Sequence, residues 1–439
     1  MPNPRKVATD ALFNIQKGSY INAELDKVRK IESLTETDIR FISELVKGTV
    51  KNKINIDNLI KQNSSVKLNK ISPFILCVLE LGIYQIVYLT KVPHSAAVNE
   101  CVKIIKNSSS KRLSGYVNAV LRSVIRNLEN NKNTESELHI KYSYPQWLVN
   151  RWINNFGIEF TKELLDAFNE KAPVTLRANT LKTTAEELSA QLNERGFNAK
   201  VLKPELSQKL KCMVECDNLS NINNLDLYKN GMFYIQDIAS ALSVLCAGVK
   251  EGDIVIDMCS APGGKATFCA ELMNNKGTIY AFDIYPNKVD KIKENAKRLG
   301  IDIINADLGD ASVYNKNLDG IADVVLCDVP CSGLGILRKK PDIKFNRCEQ
   351  DIKELADLGL KILSNASRYV KCGGVLLFST CTIDKTENEE NVKRFLNNNK
   401  NFSLIAIDAI NRENNGYYTT YPHIDGSDGF FVAKFIKTE

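Results

Sequence analysis

Apolar residues recur at helical spacing through the first 130 positions of the chain. Val7, Ala11, Leu12 and Ile15 mark one buried face, and Ile42, Leu45 and Val46 mark another, with Thr37 as the expected cap upstream. Ser72-Pro73 opens the most apolar stretch, Phe74 to Leu89, which Glu80 and Gln85 interrupt; this suits a central helix buried on all sides. Two further helices are expected at 95–106 and 114–128, the second turning Val117, Val120, Leu121, Val124 and Ile125 inward. No period-two pattern appears here, so residues 1–140 read as an all-α bundle.

The pattern then changes twice. Residues 128–141 (LENNKNTESELHIK) are polar and predict a linker. After Tyr144-Pro145-Gln146-Trp147 and a helical run come a strand at 174–178, a helix at 184–195 and a strand at 199–202. This is a small α+β module within 141–230. From Gly231 onward short apolar runs alternate with helices. Strands are expected at 254–258, 278–282, 301–305, 324–328 and 375–379, and helices at 286–299 and 349–370. Such alternation predicts an α/β domain over 231–439, with a parallel sheet covered on both faces.

Composition adds bounds. At 439 residues with 44% hydrophobic content, the chain is long enough for several cores. The Phe74–Leu89 stretch is too short to span a bilayer. The opening MPNPRKVATD lacks the apolar run of a signal peptide, so the cytoplasm is expected. Twelve cysteines in that compartment imply free thiols. The charge is uneven. Residues 1–140 carry 21 Lys and Arg against 13 Asp and Glu, a net of +8, whereas the remainder carries 37 against 39. Positive charge gathered at one end points to a phosphate-rich partner.

Candidate chemistry gathers at the expected strand ends of the last domain. Ile254–Met258 runs into Cys259-Ser260-Ala261-Pro262-Gly263-Gly264-Lys265 and then a helix. A ligand of a doubly wound sheet lies over this first loop. The second strand leads to Asp283, 19 residues beyond Gly264, where an acidic residue accepts ribose hydroxyls. A third leads to Asp307, placed for an adenine amino group. A glycine pair alone is an ordinary turn; the ordered set Asp257, loop, Asp283, Asp307 is what points to a nucleoside. The loop lacks the phosphate-cradling Gly-x-x-x-x-Gly-Lys-Ser/Thr pattern, which disfavours a nucleoside triphosphate and suits S-adenosylmethionine.

The fourth strand delivers Asp328-Val329-Pro330-Cys331-Ser332-Gly333 to the same edge, and the fifth Thr380-Cys381-Thr382. Cys77, Cys101, Cys246, Cys269 and Cys327 fall inside elements and read as small buried hydrophobes. Cys331 and Cys381 instead lie just past strand ends. Zinc would need paired ligands at short spacing; there is no Cys-x-x-Cys and only three histidines, so no metal is expected. Carbon 5 of cytosine is a poor nucleophile until a thiolate adds to carbon 6 and makes the ring an enamine. A carboxyl group near ring nitrogen 3 stabilises the charge that develops, and Asp328 has the strand position for it. A second thiol can serve when the first is expelled. The residues alone leave open which cysteine attacks. The base must be unpaired or flipped out of a helix.

These motifs resemble those of the NOL1/NOP2/Sun family of RNA cytosine-C5 methyltransferases. The loop at 259–265 is similar to Cys-Ala-Ala-Pro-Gly-Gly-Lys, with Ser260 for one alanine. Residues 328–333 match Asp-Ala-Pro-Cys-Ser-Gly, with Val329 for alanine. Thr380-Cys381 matches Thr-Cys and is followed by Glu387-Asn388-Glu389, where the family typically has Glu-Glu-Asn. Arg338 to Lys344 (RKKPDIK) resembles Arg-Arg-x-Pro-Asp-x-Lys, and Asp428-Gly429-Phe430-Phe431 the closing strand. The front of the chain resembles a NusB-type RNA-binding bundle, and residues 150–230 an RRM-like module. The resemblance implies a Rossmann-like class I domain with S-adenosylmethionine held by Cys259 to Lys265, Asp283, Asp307 and Asp328. It implies that Cys381 attacks while Cys331 assists product release, on small-subunit (16S) ribosomal RNA, by a monomer.

Other readings fit parts of the pattern. Transfer RNA or large-subunit RNA would serve the same chemistry. A DNA cytosine methyltransferase would leave Cys381 unexplained, and an amino-group methyltransferase would carry Pro-Pro-aromatic where Val329-Pro330-Cys331 stands. An RNA-binding assembly factor would be expected to lack the nucleophile or the loop, and both are present.

Overall fold

The structure is a computed structural model, and it describes residues 2–130, 136–217, 219 and 222–438. The centre of the expected linker, 131–135, lies outside the described residues. The chain forms two compact units: residues 1–169 with 340–346, and residues 170–339 with 347–439.

The first unit is helical among its described residues. It contains α1 (Pro4–Gln16), α2 (Ile21–Arg29), α3 (Glu36–Lys51), α4 (Lys53–Asn63), α5 (Pro73–Tyr88), α6 (His94–Lys106), α7 (Ser114–Glu129), α8 (Leu138–Lys141), α9 (Gln146–Phe156) and α10 (Ile158–Asn169). The bundle and the Ser72-Pro73 start of α5 agree with the sequence pattern. The cap of α3 differs. Thr35, not Thr37, accepts from the Asp38 N–H while the Asp38 carboxylate accepts from the Thr35 N–H, a reciprocal box that places Thr37 inside the first turn. The α5 helix is buried along most of its length. Burial pushes the Glu80 carboxyl up to about 7 although the Lys53 ammonium opposes that shift, and Gln16 Nε2 donates to Glu80 at 2.9 Å. Tyr144 is buried against Trp152, ring centroids 5.7 Å apart. Lys344 is buried in the same unit; it donates to the Lys51 carbonyl at 2.7 Å and lies 4.0 Å above the Tyr144 ring. Tyr144, the first residue of the Tyr144-Pro145-Gln146-Trp147 segment, thus serves packing within this unit, whereas Gln146 is exposed.

The second unit contains two sheets. The small one is antiparallel, in the order β2-β3-β1-β4, from β1 (Thr175–Ala178), β2 (Asn198–Val201), β3 (Met213–Asp217) and β4 (Phe233–Ile235). Helices α11 (Ala185–Glu194) and α12 (Asp226–Lys229) accompany it. The large sheet is built from β5 (Ile254–Asp257), β6 (Thr278–Asp283), β7 (Ile304–Leu308), β8 (Ala322–Asp328), β9 (Val370–Thr380), β10 (Phe402–Leu404), β11 (Tyr417–Thr420) and β12 (Phe430–Lys437). Its order is β10-β12-β9-β8-β5-β6-β7, with β11 on β12. Strands β5 to β9 pair in parallel, as expected. The sheet is nevertheless mixed, because β12 returns antiparallel to β9 and carries β10 and β11 antiparallel beside it. Residues 389–398 form a helix and β10 and β11 follow before β12 returns, so strands and helices still alternate past β9 and the pattern gives no sign of the reversal.

Alternate residues of the strands feed two cores. One lies under α13 (Ile238–Ala247), α14 (Gly264–Leu272) and α15 (Pro286–Leu299), the other under α16 (Glu349–Tyr369) and α17 (Glu389–Asn398). Strand β7 starts at Ile304 rather than Ile301. Gly300 takes the left-handed conformation after α15 and the Ile301 N–H returns to the Ala296 carbonyl at 3.0 Å, so Ile301 closes a helix stop and does not open a strand.

Candidate active site

Successive connections leave β5 toward β6 on one side and β8 toward β9 on the other. The crevice between β5 and β8 is therefore the topological switch point, and ligands of such sheets lie at the carboxyl ends of the strands there. Asp257 ends β5, Asp283 ends β6, Asp307 is the last residue but one of β7, Asp328 ends β8 and Thr380 ends β9. The structure thus brings Asp257, Asp283, Asp307 and Asp328, with the loops that carry Cys259 to Lys265, Cys331 and Cys381, to one edge, whereas Lys344 of the 338–344 segment belongs to the helical unit.

The loop after β5 is folded on itself and on β6. The Ser260 N–H donates to the Phe282 carbonyl at 2.8 Å and the Gly263 N–H to the Ser260 carbonyl at 2.7 Å. Both Asp257 carboxyl oxygens and the Ser260 hydroxyl are buried without a hydrogen-bond partner of good geometry among the described residues. Burial pushes Asp257 up to about 7; the nearby Ser260 hydroxyl and Lys265 oppose the shift, and Asp328 adds to it. Burial, and then Asp257, Asp328 and Asp283, push the Cys259 thiol up. Three carboxylates thus act on one spot. Asp283 is buried and accepts from the Tyr285 N–H at 3.2 Å, whereas Asp307 is exposed. Orphaned acceptors and converging negative charge fit a ligand that brings donors and a positive charge.

The other side of the crevice is fully connected. Lys265 Nζ is 2.6 Å from Asp328 Oδ2, and Ser379 Oγ donates to Asp328 Oδ1 at 2.8 Å, so both carboxylate oxygens are engaged. Burial opposes the charge on Lys265, but Asp328, Asp257 and the Cys381 sulfur outweigh it and the pKa of the ammonium is raised. Cys331 Sγ lies 3.2 Å from Cys381 Sγ and accepts from the Cys381 N–H at 3.3 Å. Its hydrogen bond to Cys381, together with burial, pushes the Cys331 thiol well up.

Two thiols at this distance require their loops to be laced together. Ser332 is the tie. Its N–H donates to Glu387 Oε2 at 2.7 Å, its hydroxyl donates to Glu387 Oε1, and the same hydroxyl lies 2.9 Å from Thr382 Oγ1. Burial pushes Glu387 up to about 7 against the Ser332 donors. Asn388 accepts from the Thr380 hydroxyl at 2.6 Å and donates to the Thr382 carbonyl at 3.0 Å. The Gly335 N–H donates to the Cys381 carbonyl at 3.0 Å, and the Gly429 N–H to the Gly335 carbonyl at 2.9 Å. A Cβ on Gly335 would lie 1.9 Å from the Gly429 carbonyl oxygen, so only glycine admits this approach. Behind the loop, Lys339 bridges Asp237 at 2.6 Å and Asp428 at 2.7 Å, and Arg338 reaches Asp428 at 3.1 Å.

Sequence reasoning missed Ser379 and the Ser332–Glu387–Thr382 tie. The Glu387-Asn388 pair had drawn notice only as a motif departure. A buried-charge signal existed, since an acid seven residues into a loop after a strand has no helix pattern to explain it. The five cysteines expected inside elements are buried, and all twelve are free. Among the described residues no helix is long and apolar enough to cross a membrane.

Three family models match in order along the chain: the NusB family at 2–126, a ferredoxin-like domain of RsmF/B-like methyltransferases at 144–208, and the 16S rRNA methyltransferase RsmB/F at 244–436. A probable ribosomal RNA small subunit methyltransferase B from Bacillus subtilis is 34% identical over 99% of this chain and 98% of its own length. A protein of the same description from Synechocystis is 32% identical, with full coverage of both chains. Among solved structures, the crystal structure of PH0851 superposes with a TM-score of 0.82 at 27% identity, covering 100% of this chain and 99% of that one. The structure of NSun6 from Pyrococcus horikoshii with SFG gives 0.58 at 25% identity, over 68% of this chain and 99% of that one.

Proposed function

Because the chain belongs to the ribosomal RNA small subunit methyltransferase B family, we propose that it methylates carbon 5 of a cytosine in small-subunit ribosomal RNA, using S-adenosylmethionine and a covalent adduct with Cys381. The observation that carries this reading is the pair of sulfurs 3.2 Å apart beside the Lys265–Asp328 ion pair. Ring addition needs a thiol and a group that answers charge on the ring, and both stand at one edge.

Each residue then has a task. Cys381 adds to carbon 6. As negative charge moves to ring nitrogen 3, the ammonium of Lys265, pinned on Asp328, offsets it, and Asp328 relays a proton toward that nitrogen. When bound, S-adenosylmethionine supplies a methyl group already activated on a sulfonium centre. The orphaned Asp257 and Ser260, the ribose-facing Asp283 and the exposed Asp307 are the residues that would hold it, with Cys259 to Lys265 lining the loop. After transfer the carbon-5 proton passes to water, its electron pair re-forms the 5,6 double bond, and Cys381 leaves as a thiolate that shares the proton of the Cys331 thiol in contact with it.

The three matched segments also support a division of labour over 1–140, 141–230 and 231–439. We assign RNA affinity to the first part, where basic residues exceed acidic ones by eight. The site is proposed to work as a monomer, without a metal, where its RNA is made, in the cytoplasm.

The test is transfer of labelled methyl from S-adenosylmethionine to unmodified small-subunit rRNA, followed by digestion and mass analysis. The expected product is 5-methylcytidine, absent with Cys381→Ala. Methyl on another ring position overturns the cytosine-C5 reading. Methyl on transfer RNA or large-subunit RNA alone overturns the substrate.

A further inference from the structure

Arg177 is among the largest side chains that are fully buried, and it comes from β1 of the small sheet, not from the catalytic sheet. All five of its N–H groups find partners. Nε donates to Glu271 Oε2 at 3.1 Å and Nη2 to Glu271 Oε1 at 2.7 Å, a two-pronged grip on one carboxylate. Nη2 also donates to Thr267 Oγ1 at 3.0 Å. Nη1 donates to the Gly264 carbonyl at 2.8 Å and to the Gln236 side chain. Gly264, Thr267 and Glu271 lie on one face of α14, the helix that begins at the glycine loop.

Neighbouring residues of the same module brace the loop from behind. The Tyr234 ring lies where a Cβ on Gly264 would be, 2.9 Å away, and the guanidinium of Arg177 lies 5.2 Å from that ring. Asn179, two residues on, donates to the Gly231 carbonyl at 2.8 Å and to the Leu299 carbonyl at the end of α15 at 2.9 Å. Along α15, Asn295 donates to the Pro262 carbonyl at 3.0 Å. The glycine loop is therefore fixed on one side by Arg177 and Tyr234 of the small sheet and by Asn295 of α15, and Asn179 of the small module ties the end of α15 in turn.

We propose that Arg177 is a positioning residue for the cofactor, and that the small module sets cofactor affinity by holding the Pro262–Lys265 segment and the start of α14 in place. The inference rests on the reading of that loop as the S-adenosylmethionine site. The fork geometry is what matters. A lysine keeps the charge but cannot serve Glu271 twice and also reach Gly264.

The experiment uses the full chain and measures S-adenosylmethionine binding by titration calorimetry, with KM for cofactor and for RNA measured separately. Arg177→Lys is expected to raise the cofactor Kd about tenfold and its KM in step, with KM for RNA unchanged. A purely structural arginine would lower the melting temperature and leave cofactor Kd at low temperature as in wild type, which overturns the proposal. Arg177→Met with Glu271→Met removes both charges together, so that no carboxylate is left buried alone. This variant decides if Arg177→Lys does not fold, and wild-type affinity in it overturns the proposal. If neither folds, Thr267→Val, which removes one uncharged partner, must weaken cofactor binding in the same direction; an unchanged Kd refutes it. Asp283→Ala separates the two layers. Its loss of binding beside an unaffected Arg177→Lys sinks the inference alone, whereas a wild type that does not bind the cofactor sinks the reading beneath it.

Discussion

At the ends of β5 and β7 polar groups stand ready: the Asp257 carboxyl and the Ser260 hydroxyl lack a hydrogen-bond partner of good geometry among the described residues, and Asp307 is exposed. At the ends of β8 and β9, on the same edge of the sheet, the polar groups are bonded to one another. Asp328 holds Lys265 and Ser379, Glu387 holds Ser332, and Asn388 holds Thr380 and Thr382. Under the proposed function, the difference follows from what each edge is asked to do. A cofactor that must leave as product after each turnover is best met by groups whose partners arrive with it. A nucleophile that must reach one ring carbon needs loops that do not move, because misplacement by about 1 Å can cost about a hundredfold in rate.

The contrast can be broken at its strongest point by removing the nucleophile. Cys381→Ala is expected to lower kcat by at least about a thousandfold in the methyl-transfer assay while leaving cofactor Kd as it was. An equal loss in both quantities would mean that the two edges are not separable.

The tie between the cysteine loops is the next weakest link to test. Glu387→Ala leaves the buried Ser332 N–H without its acceptor and the Ser332 hydroxyl with Thr382 alone, at a cost of about 1–3 kcal/mol for the unsatisfied group. We expect kcat to fall about a hundredfold from displaced sulfurs, with KM for cofactor within twofold. A rise in cofactor KM without loss of kcat would contradict the assignment of Glu387 to the cysteine edge.

The cofactor edge is sharpened by pH. Burial holds the folded pKa of Asp257 at about 7, above its ordinary 3.8. The folded state therefore keeps a proton that the unfolded chain gives up. Stability from this group is present below 3.8 and is lost as pH rises toward about 7. A positively charged ligand favours the ionised form, so cofactor affinity should increase between about pH 6 and 8 and then level off. Titration calorimetry checks this, and Asp257→Asn should flatten the curve. The smallest expected effect lies farthest from the chemistry. Raising salt should weaken RNA binding with a negative log–log slope, and removing the excess positive charge of residues 1–140 should reduce that slope with kcat nearly unchanged.

Much of this site was legible along the chain because strand ends are local. A short apolar run stops at Asp257, Asp283 or Asp328, and the residue after it is necessarily at the carboxyl edge. The motifs around Cys331 and Cys381 sit there for the same reason. What escaped was pairing across sequence distance. Arg177 and Glu271 stand 94 residues apart, and Ser332 and Glu387 stand 55 apart; nothing in the period of either segment announces its partner. The cap of α3 was misplaced by two residues because Thr35 and Thr37 both precede the apolar face, and only the return bond from Asp38 distinguishes them. The antiparallel edge of the sheet escaped because β12 reads as an apolar run like any parallel strand. Ile301 misled because an apolar residue closing a helix stop looks the same as one opening a strand.

The central claim is that Cys381 attacks the ring and Cys331 serves its release. It is tested most directly by incubating Cys331→Ala with S-adenosylmethionine and small-subunit rRNA, isolating any protein–RNA conjugate and mapping the attached peptide by mass spectrometry. The account predicts an accumulating conjugate through Cys381, carrying a cytosine already methylated at carbon 5. Full turnover by Cys331→Ala with no conjugate, or a conjugate formed through Cys331 in Cys381→Ala, would contradict it.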